Sequence, residues 1–202
     1  MSATKPRLTA EERRAAVLEC AGSIFSKGSY RGTTTAEIAR RAGVTEPILY
    51  RHFRSKRDLY LACLESAWTE TREMWDEAVA AEADPALWTT AMGAAYLQAA
   101  KQGRGLVANL WIQALTEASD DAEIRKYVKR HMREVQTFVA GVIRRSQEAD
   151  GVPRDRDPEA EAWIFVSIGL LAAVSKRLGN ILDEEFPGIA ASRRRWLTGR
   201  EA

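Results

Sequence analysis

Residues 33–53 read TTTAEIARRAGVTEPILYRHF. Two short helical patterns meet here at a glycine. Thr34-x-x-Glu37 is a capping box and starts a helix. Ile38, Ala39 and Ala42 give that helix a small apolar face. Gly43 stops it, because glycine reaches the left-handed conformation without a Cβ clash. Val44 follows as an apolar anchor and Thr45 offers a second N-cap. Pro47 falls in the first turn of the next helix, where its missing N–H has no intrahelical partner to lose. The Thr45 side-chain oxygen is then expected to cap the amide of Ile48. Leu49 and Phe53 sit four apart and face inward. Glu46, Ile48, Tyr50, Arg51 and His52 face outward. Two short helices joined by a tight glycine turn make a helix-turn-helix, whose second helix enters a DNA major groove. An ordinary core hairpin has the same outline.

Three features favour the DNA-binding form. The outward face carries Tyr50, Arg51 and His52, and Arg40, Arg41, Arg54, Lys56 and Arg57 flank it. A further capping box, Ser55-x-x-Asp58, starts another helix at once. Charge is also unevenly placed. Residues 1–57 hold twelve Lys/Arg against five Asp/Glu, a surplus of +7, and the remainder holds 18 against 23, a deficit of −5. A basic front on an acidic body suits a front that meets a polyanion.

With 202 residues, 46% of them apolar, the chain can bury a substantial core. The N-terminus MSATKPRLTAEER has no apolar signal core, and no run reads as long enough to span a bilayer, so a cytoplasmic protein is expected. Cys20 and Cys63 lie on apolar helical stripes and read as reduced, buried thiols. Lys5 and Arg7 sit in an N-terminal arm that reads as a floppy tail.

Helical periodicity continues to the end, and the chain reads as all-α, with about nine helices. The first runs over 9–27, opened by Thr9-x-x-Glu12 and closed by Gly28. A long one leaves Ser55 and runs to about residue 83, with no Gly/Pro linker before the body. Others follow over 85–102, 106–118 (Leu110, Trp111, Ala114 and Leu115 inward), 121–149 and 158–182. Gly103-Arg104-Gly105 is a break and weak evidence of phosphate binding. The tail SRRRWLTGREA is basic and unplaced.

The run G-x-T-T-x-x-I-A-x-x-A-G-V-x-x-x-x-L-Y-x-H-F-x-S-K-x-x-L, from Gly32 to Leu59, resembles the DNA-binding domain of the TetR family of transcriptional regulators. The specific resemblance covers about the first quarter of the chain; the rest is similar only in length and helical pattern. It implies a three-helix helix-turn-helix domain over 1–55. A continuous helix would join this to a ligand-binding and dimerisation domain over 56–202. Thr34, Thr35, Thr45, Tyr50, His52 and Lys56 then fall where the family contacts phosphate, and Glu46, Pro47 and Ile48 where it approaches base edges. The family often has Lys, Gly and Thr at those three positions, so this reading head is unusual. Glu46 serves a cytosine amino group or its own helix N-terminus equally well. Pro47 and Ile48 suit thymine methyls, and Arg51 suits a guanine or a phosphate.

One recognition helix reads too few base pairs to be selective, so a homodimer on double-stranded operator DNA is expected. The last two long helices offer its interface, with Val135, Val139, Trp163, Phe165 and Val166 as candidates, unless they bury each other within one chain. The resemblance implies a small-molecule pocket in the body. Trp68, Trp75, Trp88, Met92, Tyr96, Trp111 and Phe138 are candidate walls, with Asn109 and Gln113 to orient a ligand, although each also suits plain core filling. An acidic body with few cationic inward positions points to an apolar or cationic ligand. No metal cluster or framed nucleophile suggests catalysis, and no cofactor is expected; His131 reads as a core histidine. The chain reads as a repressor released by an inducer. The rival is a helical adaptor that binds protein and no DNA.

Overall fold

The computed structural model describes residues 9–104 and 107–200. Lys5, Arg7, Gly105 and Leu106 lie outside the described residues, as do the last two residues of the tail. The described residues form nine α-helices: α1 (Ala10–Lys27), α2 (Thr35–Arg41), α3 (Glu46–His52), α4 (Lys56–Ala81), α5 (Trp88–Lys101), α6 (Val107–Glu117), α7 (Ala122–Glu148), α8 (Pro158–Arg177) and α9 (Phe186–Thr198).

The N-terminal helices start and stop where their caps dictate. Thr9 and Glu12 form a complete capping box on α1. Thr34 accepts from the Glu37 amide at 3.1 Å, but the Glu37 carboxylate turns to Arg41 at 3.1 Å instead of reaching back. α2 ends in a Schellman turn: the Val44 amide donates to the Ala39 carbonyl at 3.0 Å, the Gly43 amide donates to Arg40, and Gly43 takes φ +69°. The expected Thr45 side-chain cap is absent. Pro47 has no N–H to offer, and the Ile48 amide donates to the Thr45 backbone carbonyl at 3.0 Å. Val17, Ala21 and Phe25 of α1, Ile38 of α2, Leu49 and Phe53 of the α3 segment and Leu59 of α4 close one core, all essentially without exposure.

α4 runs for 26 residues out of that core and into the body. There it packs on α5, while α7 packs on α8 over the largest helix–helix contact in the molecule. The segment expected as one helix from residue 85 divides into a 3-10 turn at Pro85–Leu87 and then α5. The last apolar helix stops at Arg177, short of residue 182, because Gly179 (φ +82°) and Asn180 (φ +63°) turn the chain. Residues 192–198 of the unplaced tail form the second half of α9. By length and composition α8 is, among the described residues, the one helix apolar enough to cross a membrane; in this fold its inner face lies on α7. Leu115, expected inward, is exposed. Cys63 is buried, Cys20 half-buried, and both are free thiols.

Candidate nucleic-acid interface and ligand cavity

α3 stands proud of the N-terminal core. Tyr50 is exposed, Arg51, Thr45, Pro47 and Thr34 are exposed, and Ile48, His52, Glu46 and Lys56 are half-covered. Thr35 differs from its neighbours. It is buried, and its hydroxyl bonds both the Glu46 carboxylate and the Tyr50 hydroxyl, the latter at 3.0 Å. Glu46 and Thr35 thus brace α2 against α3, which uses a carboxylate that would otherwise repel phosphate. Lys56 lies 4.5 Å above the Tyr30 ring and donates to the Arg31 carbonyl. Burial lowers its pKa, and the nearby Glu117 carboxylate opposes that shift.

The N-terminal core is tied to the turn between α6 and α7. Arg31 donates to Glu117 at 2.9 Å and pairs with Asp120; Arg57 pairs with Asp121 at 2.9 Å. The buried Tyr60 hydroxyl of α4 donates to the Leu110 carbonyl of α6 at 2.6 Å, and its ring meets Phe25 edge-on. Gln113 donates to the Gly28 carbonyl. It therefore belongs to this joint and is turned away from any ligand.

The body holds a partly open cavity of about 240 Å³ between α4, α5, α6, α7 and α8, with α9 along it. Of the expected wall residues, Trp75, Tyr96 and Trp111 line it. Trp68, Trp88, Met92, Asn109 and Phe138 do not. Trp68 and Phe138 stand behind Trp75 as an aromatic layer, at 5.8 and 6.0 Å from its ring. Trp88 donates its indole N–H to the Glu82 carbonyl at 3.0 Å, and Met92 is fully buried elsewhere in the core. Val135, Phe165 and Val166, expected at a dimer interface, line the cavity instead. Val135, Val139 and Val166 are buried within one chain, because they fill the α7–α8 seam. Of the five interface candidates only Trp163 is exposed.

Two functional features escaped the sequence reading. The first is polar. α9 brings Arg193 and Arg194 to the cavity, where Arg193 pairs with the buried Glu161 of α8. Glu161 also accepts from the Trp196 indole at 3.1 Å. Inward cations therefore exist, and the premise that favoured a cationic ligand does not hold. The second is apolar. Ile164, Leu171, Val174 and Leu178 are exposed, with Ile181 beyond them. Their steps of seven, three, four and three residues place one uncovered stripe along α8, at the spacing of a helix–helix seam.

His131 is fully buried and accepts the Trp111 indole N–H on Nδ1 at 2.7 Å. Burial pushes its pKa down to about 4. It does not line the cavity, and among the described residues no cluster of ligating side chains has the makings of a metal site.

Comparison with known proteins bears on this architecture. Residues 17–63 match the model of the bacterial regulatory proteins, tetR family. Over 59 residues the chain is 48% identical to the HTH-type transcriptional activator FasR of Mycolicibacterium smegmatis, which covers 29% of this chain and 27% of that protein. The match spans about a quarter of that relative's length. The crystal structure of a TetR-family transcriptional regulator from Agrobacterium tumefaciens has the same fold, with a TM-score of 0.79 at 18% identity over 94% of this chain and 100% of its own. So does AibR, solved in complex with isovaleryl coenzyme A and operator DNA, with a TM-score of 0.66 at 23% identity over 93% of this chain and 98% of its own. The N-terminal helix-turn-helix thus matches the DNA-binding segment of the tetR family, and the helical body behind it shares the fold of solved TetR-family regulators.

Proposed function

We propose that this protein is a dimeric transcriptional repressor whose grip on operator DNA is released by a small molecule in the body cavity. Residues 1–55 would bind DNA and residues 56–202 would bind the ligand and the second subunit. The observation that carries this reading is the single helix α4, which starts at the edge of the recognition unit and contributes Trp75, near its far end, to the cavity wall. Thr34, Thr45, Tyr50, His52 and Lys56 would hold phosphates, with Arg51 on a guanine or a phosphate and Pro47 and Ile48 on thymine methyls. Thr35 and Glu46 would mainly set the angle of α3.

Two reading heads must be about 34 Å apart to enter successive major grooves. Pairing the α8 stripes of two subunits across a two-fold axis would hold the two heads at one fixed separation. A ligand that binds better to a state with α4 tilted would separate the heads; only this difference in affinity can move the equilibrium. AibR, with both a ligand and operator DNA bound, supports the pairing of functions. FasR is named an activator, so activation through the same DNA contacts is the second reading. In vitro transcription from a promoter bearing the operator separates them. Repression requires transcript to fall on adding protein and to return with ligand; a rise on adding protein means activation.

A further inference from the structure

The polar groups of the cavity are mismatched in one direction. Trp75 Nε1 and Arg193 Nη1 are both buried without a hydrogen-bond partner, and both residues line the cavity. Each is a donor. Among the described residues, the only other such buried side-chain atom is Nε2 of His131, which stands outside the cavity. Native interiors seldom leave such groups unpaired, so the complement of this site is a molecule that brings acceptors and few donors.

Charge narrows the class. Both oxygens of Glu161 are already engaged, one by Arg193 and the other by the Trp196 indole. Arg194 also reaches the cavity, and Arg156 sits 4.4 Å above the Trp196 ring. Among the lining residues two cations, Arg193 and Arg194, face one anion, Glu161, while Arg156 outside the lining is paired with Asp155; burial together with Arg156 holds the Arg193 pKa below its usual value. The remaining walls are aromatic and aliphatic, Trp75, Tyr96, Trp111 and Phe165 among them. A volume of about 240 Å³ suits a small molecule.

We propose that the cavity binds a small monocarboxylate, with the carboxylate on Arg193 Nη1 and the hydrocarbon body against the aromatic wall. This rests on the reading of the cavity as the ligand site, and it replaces an apolar or cationic ligand with an anionic one. A guanidinium N–H aimed at a carboxylate makes a charge-assisted bond that an alcohol cannot match and an ammonium opposes.

The test uses four probes with one hydrocarbon chain: octanoate, octan-1-ol, octylamine and octyl phosphate. Binding to the full-length protein is followed by calorimetry and by quenching of tryptophan fluorescence, since Trp75 and Trp111 form the wall. Octanoate is expected to bind at least about tenfold tighter than the alcohol and no more weakly than the bulkier phosphate, and the amine not measurably. In E161Q/R193Q, which removes the ion pair without leaving a buried charge, octanoate should fall to the level of the alcohol while the alcohol is unchanged. Circular dichroism checks that this variant folds, and Arg193→Lys, which keeps the charge and loses the fork, should retain part of the preference. Equal binding of octanoate and octanol, tighter binding of the phosphate, or undiminished octanoate binding in the double variant would each overturn the proposal. DNA binding by the unliganded protein is a separate measurement, so failure here leaves the regulator reading standing.

Discussion

Burial takes His131 well away from the protonation behaviour of a free imidazole. Its Nδ1 accepts from Trp111, so the neutral ring carries its proton on Nε2, and Tyr127 stacks on it at 5.6 Å. A histidine with a folded pKa of about 4 and an ordinary unfolded value binds fewer protons when folded. Its contribution to stability is complete above the unfolded value of 6.5 and is lost as pH falls from there through about 4. The full effect is on the order of 3 kcal/mol. Urea unfolding between pH 7.5 and 4.5 should show this loss in the wild type and not in His131→Gln, which keeps an acceptor for Trp111; equal pH slopes would contradict it. At the reading head, Arg51→Ala distinguishes its two candidate roles. Loss of a phosphate contact weakens binding to all sequences and reduces the salt slope by about 1, whereas loss of a guanine contact costs about 1–3 kcal/mol at one base position.

Among the elements, the helix-turn-helix was legible in the sequence because its determinants are local. The Thr34 cap, the Gly43 turn and the four-residue spacing of Leu49 and Phe53 all act within a few residues of where they stand, whereas the cap expected from Thr45 does not form. The body was legible as helices but less so as partners. Trp75, Tyr96 and Trp111 reach the cavity and Trp88 and Met92 do not, and that depends on which way five separately spaced helices are rotated. α8 misled for a related reason: a helix apolar on nearly every side hides which side is covered. Its stripe of Ile164, Leu171, Val174 and Leu178 has a readable period, yet Phe165 and Val166 looked equally eligible. Long-range packing also makes one glycine indispensable. A Cβ on Gly151 would lie 2.5 Å from the Pro85 backbone carbon and 2.6 Å from the Ala86 amide, and Ser146 donates to the Pro85 carbonyl beside it. Backbone cannot yield as a side chain can. Gly151→Ala should cost about 1–3 kcal/mol in urea unfolding, as overpacking does, while Gly141→Ala, with open space around it, should cost nothing by this mechanism.

On the proposed reading, the whole molecule works as a pair of heads at fixed separation. Leu171→Glu with Leu178→Glu places charge on the proposed seam while leaving the buried face of α8 intact. Sedimentation should then report a monomer, and operator affinity should fall by at least about tenfold, because one head without its twin loses the second set of contacts. A variant that remains dimeric would move the interface elsewhere. The joint of Arg31 with Glu117 and Asp120 is largely solvent-exposed on the arginine side, where water screens the pair and leaves it little effect on stability. Its expected effect is on coupling: Arg31→Ala should leave folding nearly unchanged and alter how far a bound ligand shifts operator affinity. The most direct test of the central claim is fluorescence anisotropy on DNA from upstream of the protein's own coding region, against scrambled DNA, at several salt concentrations. The account predicts tight, sequence-selective binding that weakens steeply with salt as counterions are released. Weak binding, equal on both DNAs and flat with salt, would contradict it and leave a helical adaptor in its place.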